Sequence, residues 1–156
     1  MIIKMLLSSA LGAFVLITVA NSQQSRESQY SAHTTSADDA KALLAKAVAA
    51  VKVNQDDAIA KFDNPNGGFK DRDLYVFCGD LKSGLSLNGP LKGKDLKTAQ
   101  DATGKMFGQE MLDKSKDGQI AVVDYMFPKP GTKTPVEKQA FIEGIGAIYC
   151  GVGYYK

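Results

Sequence analysis

Hydrophobic spacing changes period once along this chain, and that change separates a helical part from a β-rich part. Ala40, Leu43, Leu44, Ala47, Val48 and Val51 recur at i, i+3, i+4, i+7, i+8 and i+11, which is one apolar stripe on an α-helix. Ser36-Ala37-Asp38-Asp39 in front of it reads as an N-cap followed by acidic residues in the first turn. Alanine fills much of the remainder, which favours the helix. Asn54 is a second cap, and Ala58, Ile59 and Phe62 give a shorter helix its own apolar edge. One long helix broken at Val53-Asn54-Gln55 and two separate helices fit this pattern equally. Asp63-Asn64-Pro65-Asn66-Gly67-Gly68 ends the helical part.

Beyond that point the segments are short, β-branched and aromatic. Asp73 to Cys78 reads as a strand buried on both faces. Gly79 to Gly84 is a hairpin-type turn into a short strand, Leu85-Ser86-Leu87, which Asn88-Gly89-Pro90 stops. Asp95 to Lys116 is expected to be helical overall, interrupted near Thr103-Gly104, with Phe107, Met111 and Leu112 as the apolar face of its second half. Gln119 to Phe127 is a third strand, Pro128 to Pro135 an extended loop, and Gln139 to Ile142 a fourth strand. Gly144-Ile145-Gly146 leads into the last strand, Ala147 to Tyr155. Two helices followed by this order imply an α+β fold: a mostly antiparallel five-stranded sheet with helices packed on it, one of them between strands 2 and 3.

Residues 1–20 read as an address. Lys4 is the positive start, Met5 to Val19 the apolar run, and Thr18-Val19-Ala20 offers small residues for cleavage before Asn21. Cleavage after Ser22 fits nearly as well, and an uncleaved anchor is the alternative, although the run is shorter than the roughly 20 residues of a span. Residues 21–35 are polar and expected to be a disordered lead-in, leaving one domain over residues 36–156. The expected location is the periplasm or outside the cell.

Several function classes are disfavoured. The formal net charge is +2 with no lysine or arginine cluster, so nucleic acid is not an expected partner. The one histidine, His33, lies in the lead-in, so no nucleophile–base pair, metal set or paired-carboxylate signature stands out, and no catalytic activity, metal or cofactor is expected. Gly151-Val152-Gly153 closes a strand and precedes no helix, so close strand packing explains it better than a phosphate loop. Asp113 to Gly118 lacks the later ligands of a calcium loop and reads as a helix end with a glycine stop. In an exported chain, Cys78 and Cys150 fit a disulfide better than a metal site; two buried free thiols are the alternative.

Four stretches carry a resemblance: Asp73 to Phe77, Leu91 to Leu96, Asp101 to Phe107, and the closing Gly151-Val152-Gly153-Tyr154-Tyr155. In their order and spacing, from about Ala40 to Lys156, the chain resembles the single Cache domain of the second type, the extracellular sensor module of bacterial chemoreceptors and histidine kinases. The resemblance implies a PAS-like sheet in which the first and last strands are neighbours, so that Cys78 and Cys150 would form a cross-strand bridge. Two departures stand out. Asn88-Gly89-Pro90 occupies the place of a histidine–proline-like dipeptide, which puts any ligand contact of that histidine in doubt. Receptor members also continue into a membrane helix and signalling domains, so this chain looks like a free-standing version.

Tyr75 and Phe77 share one face of the first strand, and Tyr125 and Phe127 one face of the third. Holding a small carboxylate takes a cation or hydroxyl cluster plus an apolar wall. The resemblance places a basic, pocket-facing residue at Lys138, just before the fourth strand. Tyr75, Tyr125 and Lys138 are the expected polar contacts, with Phe77, Met106 and Phe107 as the wall; ordinary core aromatics and a solvated lysine are the bland alternative. The expected function is binding of a small molecule, a short organic acid, for presentation to a membrane receptor or sensor kinase. The alternative is an accessory interaction module with a filled pocket. Homodimerisation through the long N-terminal helix follows by analogy with the receptors.

Overall fold

The computed structural model describes residues 34–156; the leader, His33 and the lead-in up to residue 33 lie outside the described residues. Helix α1 spans Ala37–Val53 and α2 spans Gln55–Asp63. Ser36 Oγ accepts from the Asp39 amide at 3.1 Å, and Asp39 Oδ2 accepts from the Ser36 amide at 3.0 Å, a reciprocal capping box. Asn54 settles the choice between one helix and two. Its amide donates to Ala50 O to close α1, while its Oδ1 accepts from the Asp57 amide at 3.1 Å to open α2. Thr34 and Thr35, assigned by composition to the lead-in, are tied to the domain. Thr35 is buried and its hydroxyl donates to Asp73, and Arg72 donates to Thr34 O.

Five strands form one antiparallel sheet in the order β1-β2-β5-β4-β3, with β1 at Lys70–Asp71, β2 at Leu74–Asp80, β3 at Ile120–Pro128, β4 at Pro135–Ile145 and β5 at Ile148–Tyr155. The fold class is as the sequence implies, and the first long strand lies beside the last. The membership differs in two places. Lys70–Asp71 forms a short unforeseen strand, and Leu85-Ser86-Leu87 makes only isolated bridges, Gly79 to Ser86 and Leu85 to Asp95. The latter segment bonds to β2 only through the Asp80 amide to Leu85 O and the Leu87 amide to Cys78 O, both at 2.9 Å, and Asn88 ends the pairing there. Its fully buried amide occupies the middle of β2's outer edge, Oδ1 accepting from the Cys78 amide at 2.7 Å and Nδ2 donating to Val76 O at 2.8 Å. One side chain thus does there what a paired strand would do.

The expected helix over Asp95–Lys116 is largely absent. Short 3₁₀ turns occupy Gly89–Leu91 and Leu96–Thr98, and only Phe107–Lys114 forms an α-helix, α3. Asp95 and Asp101 accept from nearby backbone amides, Lys97 for the first and Thr103 and Lys105 for the second, and so compete with helical bonding. Gly104, at φ 86°, sits where a helix cannot continue.

Alternation along the strands divides the core in two. Leu74, Val76, Cys78, Phe141, Ile148, Cys150 and Val152 pack against α1 and α2. On the opposite face, Val123, Tyr125, Ala140, Ile142 and Tyr149 pack under Leu96, Phe107 and Met111. Cys78 and Cys150 are direct register partners with Cα atoms 4.0 Å apart, and they are disulfide-bonded on the helix-covered face. The free-thiol alternative is thereby excluded. Among the described residues, no helix is long and apolar enough to cross a membrane.

Candidate functional site

The face opposite α1 carries one charged residue where the pattern calls for an apolar one. Strand β4 starts at Pro135, four residues before the expected start, so Lys138 lies inside the ladder rather than ahead of it. It is paired with Tyr125 on β3 and Tyr155 on β5. Its side chain shares the face of Ala140 and Ile142, and the residue is 1% exposed. Lys138 Nζ donates to Tyr75 Oη at 2.7 Å and more weakly to Tyr155 Oη at 3.4 Å. Four rings surround it, with centroids at 4.1 Å for Tyr75, 4.8 Å for Tyr155, 5.3 Å for Phe127 and 5.8 Å for Phe77. This is an aromatic box around an ammonium.

Room for that side chain comes from a neighbour with none. A Cβ at Gly153 would lie 2.6 Å from Lys138 Cε, and one at Gly151 would lie 2.5 Å from the Phe77 ring. The Gly151-Val152-Gly153 run therefore serves close packing, and that packing admits the lysine stem and a wall ring.

Among the described residues, Lys138 forms no salt bridge; the nearby carboxylate of Asp73 is held by Lys129 at 3.9 Å. Loss of solvent drives the Lys138 pKa down to about 7, with the charge of Asp73 pulling weakly the other way. Burial raises the hydroxyls around it, Tyr75 and Tyr125 strongly and Tyr155 to about 12, so they stay neutral at physiological pH. Tyr155 Oη donates to Pro128 O at 2.6 Å, which ties the box to the start of the β3–β4 loop.

Two spaces adjoin the box. A hollow of about 20 Å³ is lined by Tyr75, Phe77, Phe107, Tyr125 and Phe127, with Met111, Asn88 and Tyr149 among its other walls. It has room for about one water. Tyr75, Pro90 and Phe127 also border an open groove of about 560 Å³ that runs between α2, β1 and the Pro128–Thr132 loop.

Of the residues expected from sequence, Tyr75, Phe77, Phe107 and Tyr125 are brought together around the hollow. Phe107 stacks on Tyr125 with centroids 4.6 Å apart. Lys138 joins them through Tyr75 and behind the rings, without itself lining the hollow. Met106 does not join them. It precedes α3, is 37% exposed and lies outside the hollow, while Met111, buried one turn into the helix, takes the wall position. The loop before α3 is pinned by Asp101, whose Oδ2 accepts from the Met126 amide at 2.9 Å. Burial opposes ionisation of Asp101, but its bonds from Thr103, Met126 and Lys105 outweigh that and hold it near 2. Tyr155 is not among the residues expected from sequence, and Asn88 enters there only as the departure from the histidine–proline-like dipeptide. Tyr155 continues the period-2 pattern Gly151, Gly153, Tyr155, a signal that could have found it. Asn88 lines the hollow, but its amide is engaged by β2 and so does not replace the histidine that the resemblance implies.

The family model described as Single Cache domain 2 matches residues 15–153. No curated protein matches the sequence significantly. A methyl-accepting chemotaxis protein from Vibrio parahaemolyticus superposes with a TM-score of 0.63 at 20% identity, covering 87% of this chain and 97% of that one. A periplasmic sensor domain of a chemotaxis protein gives 0.58 at 23% identity, over 87% and 96% of the two chains. A Cache chemosensory domain studied for carboxylic acid recognition gives 0.55 at 21%, over 88% and 99%. At these identities the likeness is one of fold.

Proposed function

The chain belongs to the single Cache domain 2 family, and from that premise we propose that it is an exported sensor-type protein that binds a short organic acid, with the Lys138 ammonium as counter-ion. One observation carries this reading: a buried cation boxed by four rings and met only by neutral hydroxyls. Such a charge is costly to bury unpaired. A carboxylate beside it supplies the missing partner in a medium where the attraction is strong. The hollow is too small for an acid, so its carboxylate reaches Lys138 by displacing the Tyr75 hydroxyl, and its body lies toward the groove that Tyr75 and Phe127 border. The carboxylic acid recognition named for one fold relative agrees with this ligand class. The sequence of residues 1–20 supports export, and delivery to a membrane receptor or sensor kinase is the role proposed for the loaded protein. No catalytic step is part of the proposal.

The accessory module with a filled pocket remains the second reading, and the 20 Å³ volume is the observation that favours it. Isothermal titration of the purified chain with formate, acetate, propanoate and butanoate, at pH values from 6 to 9, separates the two. A bound carboxylate favours protonated Lys138, whose pKa without it is about 7. Affinity should therefore be nearly constant from pH 6 to 7 and then fall by up to about tenfold per pH unit. Asp73, Lys129, Tyr75, Tyr125 and Tyr155 are the other charged or titratable groups near Lys138, and the raised tyrosines do not titrate in this range. Binding by none of the acids would leave the accessory module as the surviving account.

A further inference from the structure

We infer that the Gly89–Leu91 turn is a lid over the Lys138 site and that Asp63, the last residue of α2, is its latch; this rests on the proposed role of Lys138. The inference starts from a mismatch of size. The hollow has room for about one water, so an acid enters only if part of the wall moves. Three residues border both the hollow and the groove: Tyr75, Pro90 and Phe127. Tyr75 and Phe127 stand on β2 and β3, where pairing with Lys70 and Val136 fixes their backbone. Pro90 stands on a 3₁₀ turn. It is the part of the partition that can swing.

The turn has hinges on both sides and one tie across the groove. Gly89, at φ 74°, and Gly93, at φ 77°, flank Pro90 and Leu91 in the left-handed region that glycine adopts without penalty. Asn88 stays locked to β2, so movement starts at Gly89. The Gly93 amide donates to Ser86 O at 2.8 Å and closes the base of the loop. Between these points, among the described residues, one side chain from another element bonds to the turn. Asp63 Oδ1 accepts from the Gly89 amide at 3.0 Å, and Oδ2 accepts from Lys92 Nζ at 2.7 Å. A carboxylate is ill placed at a helix C-terminus, where it opposes the dipole, so α2 itself gains nothing from Asp63. Burial also opposes its ionisation, but the bonds from Lys92 and the Gly89 amide, with the charges of Lys92 and Lys70, outweigh it. The latch is therefore charged wherever the acid is.

Amide exchange of the ligand-free chain, followed by NMR, tests the latch first. In Asp63→Ala the Gly89 and Lys92 amides should exchange about tenfold faster than in wild type or more, with Phe77 in the β2–β5 ladder unchanged. Lys92→Met leaves α2 intact and should quicken the same amides about twofold. Line-shape titrations with whichever of formate, acetate, propanoate and butanoate binds tightest then give the binding rates. Association and dissociation should both quicken, about fivefold or more in Asp63→Ala and about twofold in Lys92→Met. The two substitutions change the charge beside the groove in opposite senses, so a field effect alone would speed arrival in one and slow it in the other. Gly89 and Lys92 gaining nothing over Phe77, or gaining it with binding rates unchanged, overturns the lid and leaves the Lys138 site standing. Binding of none of the four acids to the wild-type chain overturns both.

Discussion

Replacing Lys138 with methionine is expected to stabilise the protein and abolish its binding of carboxylates. Methionine has nearly the volume of the lysine stem and suits the rings that line the box. A pKa of about 7 for a buried amine corresponds to a penalty on the order of 4 kcal/mol against the unfolded chain at neutral pH. Recovering even part of it should raise the melting temperature by about 5 °C or more. Removal of the counter-ion should weaken acid binding by about 30-fold or more. The stability has a signature in pH as well. Between pH 7 and 10.5 the unfolded lysine holds a proton that the folded one has released, so wild-type stability should rise with pH across that window. It should be flat below it with respect to this group. Scans to pH 9 keep ionisation of each tyrosine in the unfolded chain to about a tenth, and Lys138→Met should lack the rise. A lower melting temperature with undiminished binding would make Lys138 a structural residue.

Loss of the Cys78–Cys150 bridge should be the largest single loss of stability. The bridge closes a loop with a sequence separation of 72, for which chain entropy gives about 4 kcal/mol. For a domain of this size that is a drop of roughly 15 °C in melting temperature for the paired variant Cys78→Ala, Cys150→Ala. Both sulfurs are buried under α1, so reductant added to the folded protein should act only as fast as the sheet opens. A fall of less than about 5 °C in the double variant would mean that the cross-strand pairing alone holds β2 against β5.

Local signals account for much of this fold. The Ser36 and Asn54 caps, the apolar stripe of α1, and the faces shared by Tyr75 with Phe77 and by Tyr125 with Phe127 all depend on residues close in sequence. What escaped depends on distant partners. The segment Leu85–Leu87 does bond to β2, through Leu85 O and the Leu87 amide, but the Asn88 side chain takes the next amide and carbonyl of that edge and stops the ladder there. The helix over Asp95–Lys116 has favourable propensity in places, yet Asp101 binds its own loop and the Met126 amide. Sequence places Met106 in the wall and Met111 on the apolar face of the helix, but because α3 begins at Phe107, Met111 turns inward and Met106 stays outside.

The lysine shows the same limit in sharper form. Read alone, Val136-Glu137-Lys138-Gln139 is a polar strand approach, and a solvated lysine is the ordinary outcome. Its burial becomes legible only from the alternation of Lys138 with Ala140 and Ile142 and from the space left by Gly153 on the neighbouring strand. Family resemblance pointed to the position; the ladder explains why the side chain has nowhere else to go.

Proton occupancy at Lys138 can be followed directly, with ¹³Cε-labelled lysine observed by NMR during a pH titration. The account predicts one lysine signal titrating near pH 7, missing in Lys138→Met, that shifts to above about 9 when a binding carboxylate is saturating. A Lys138 signal titrating near 10.5 from the start, or one whose midpoint ignores the acid, would contradict it.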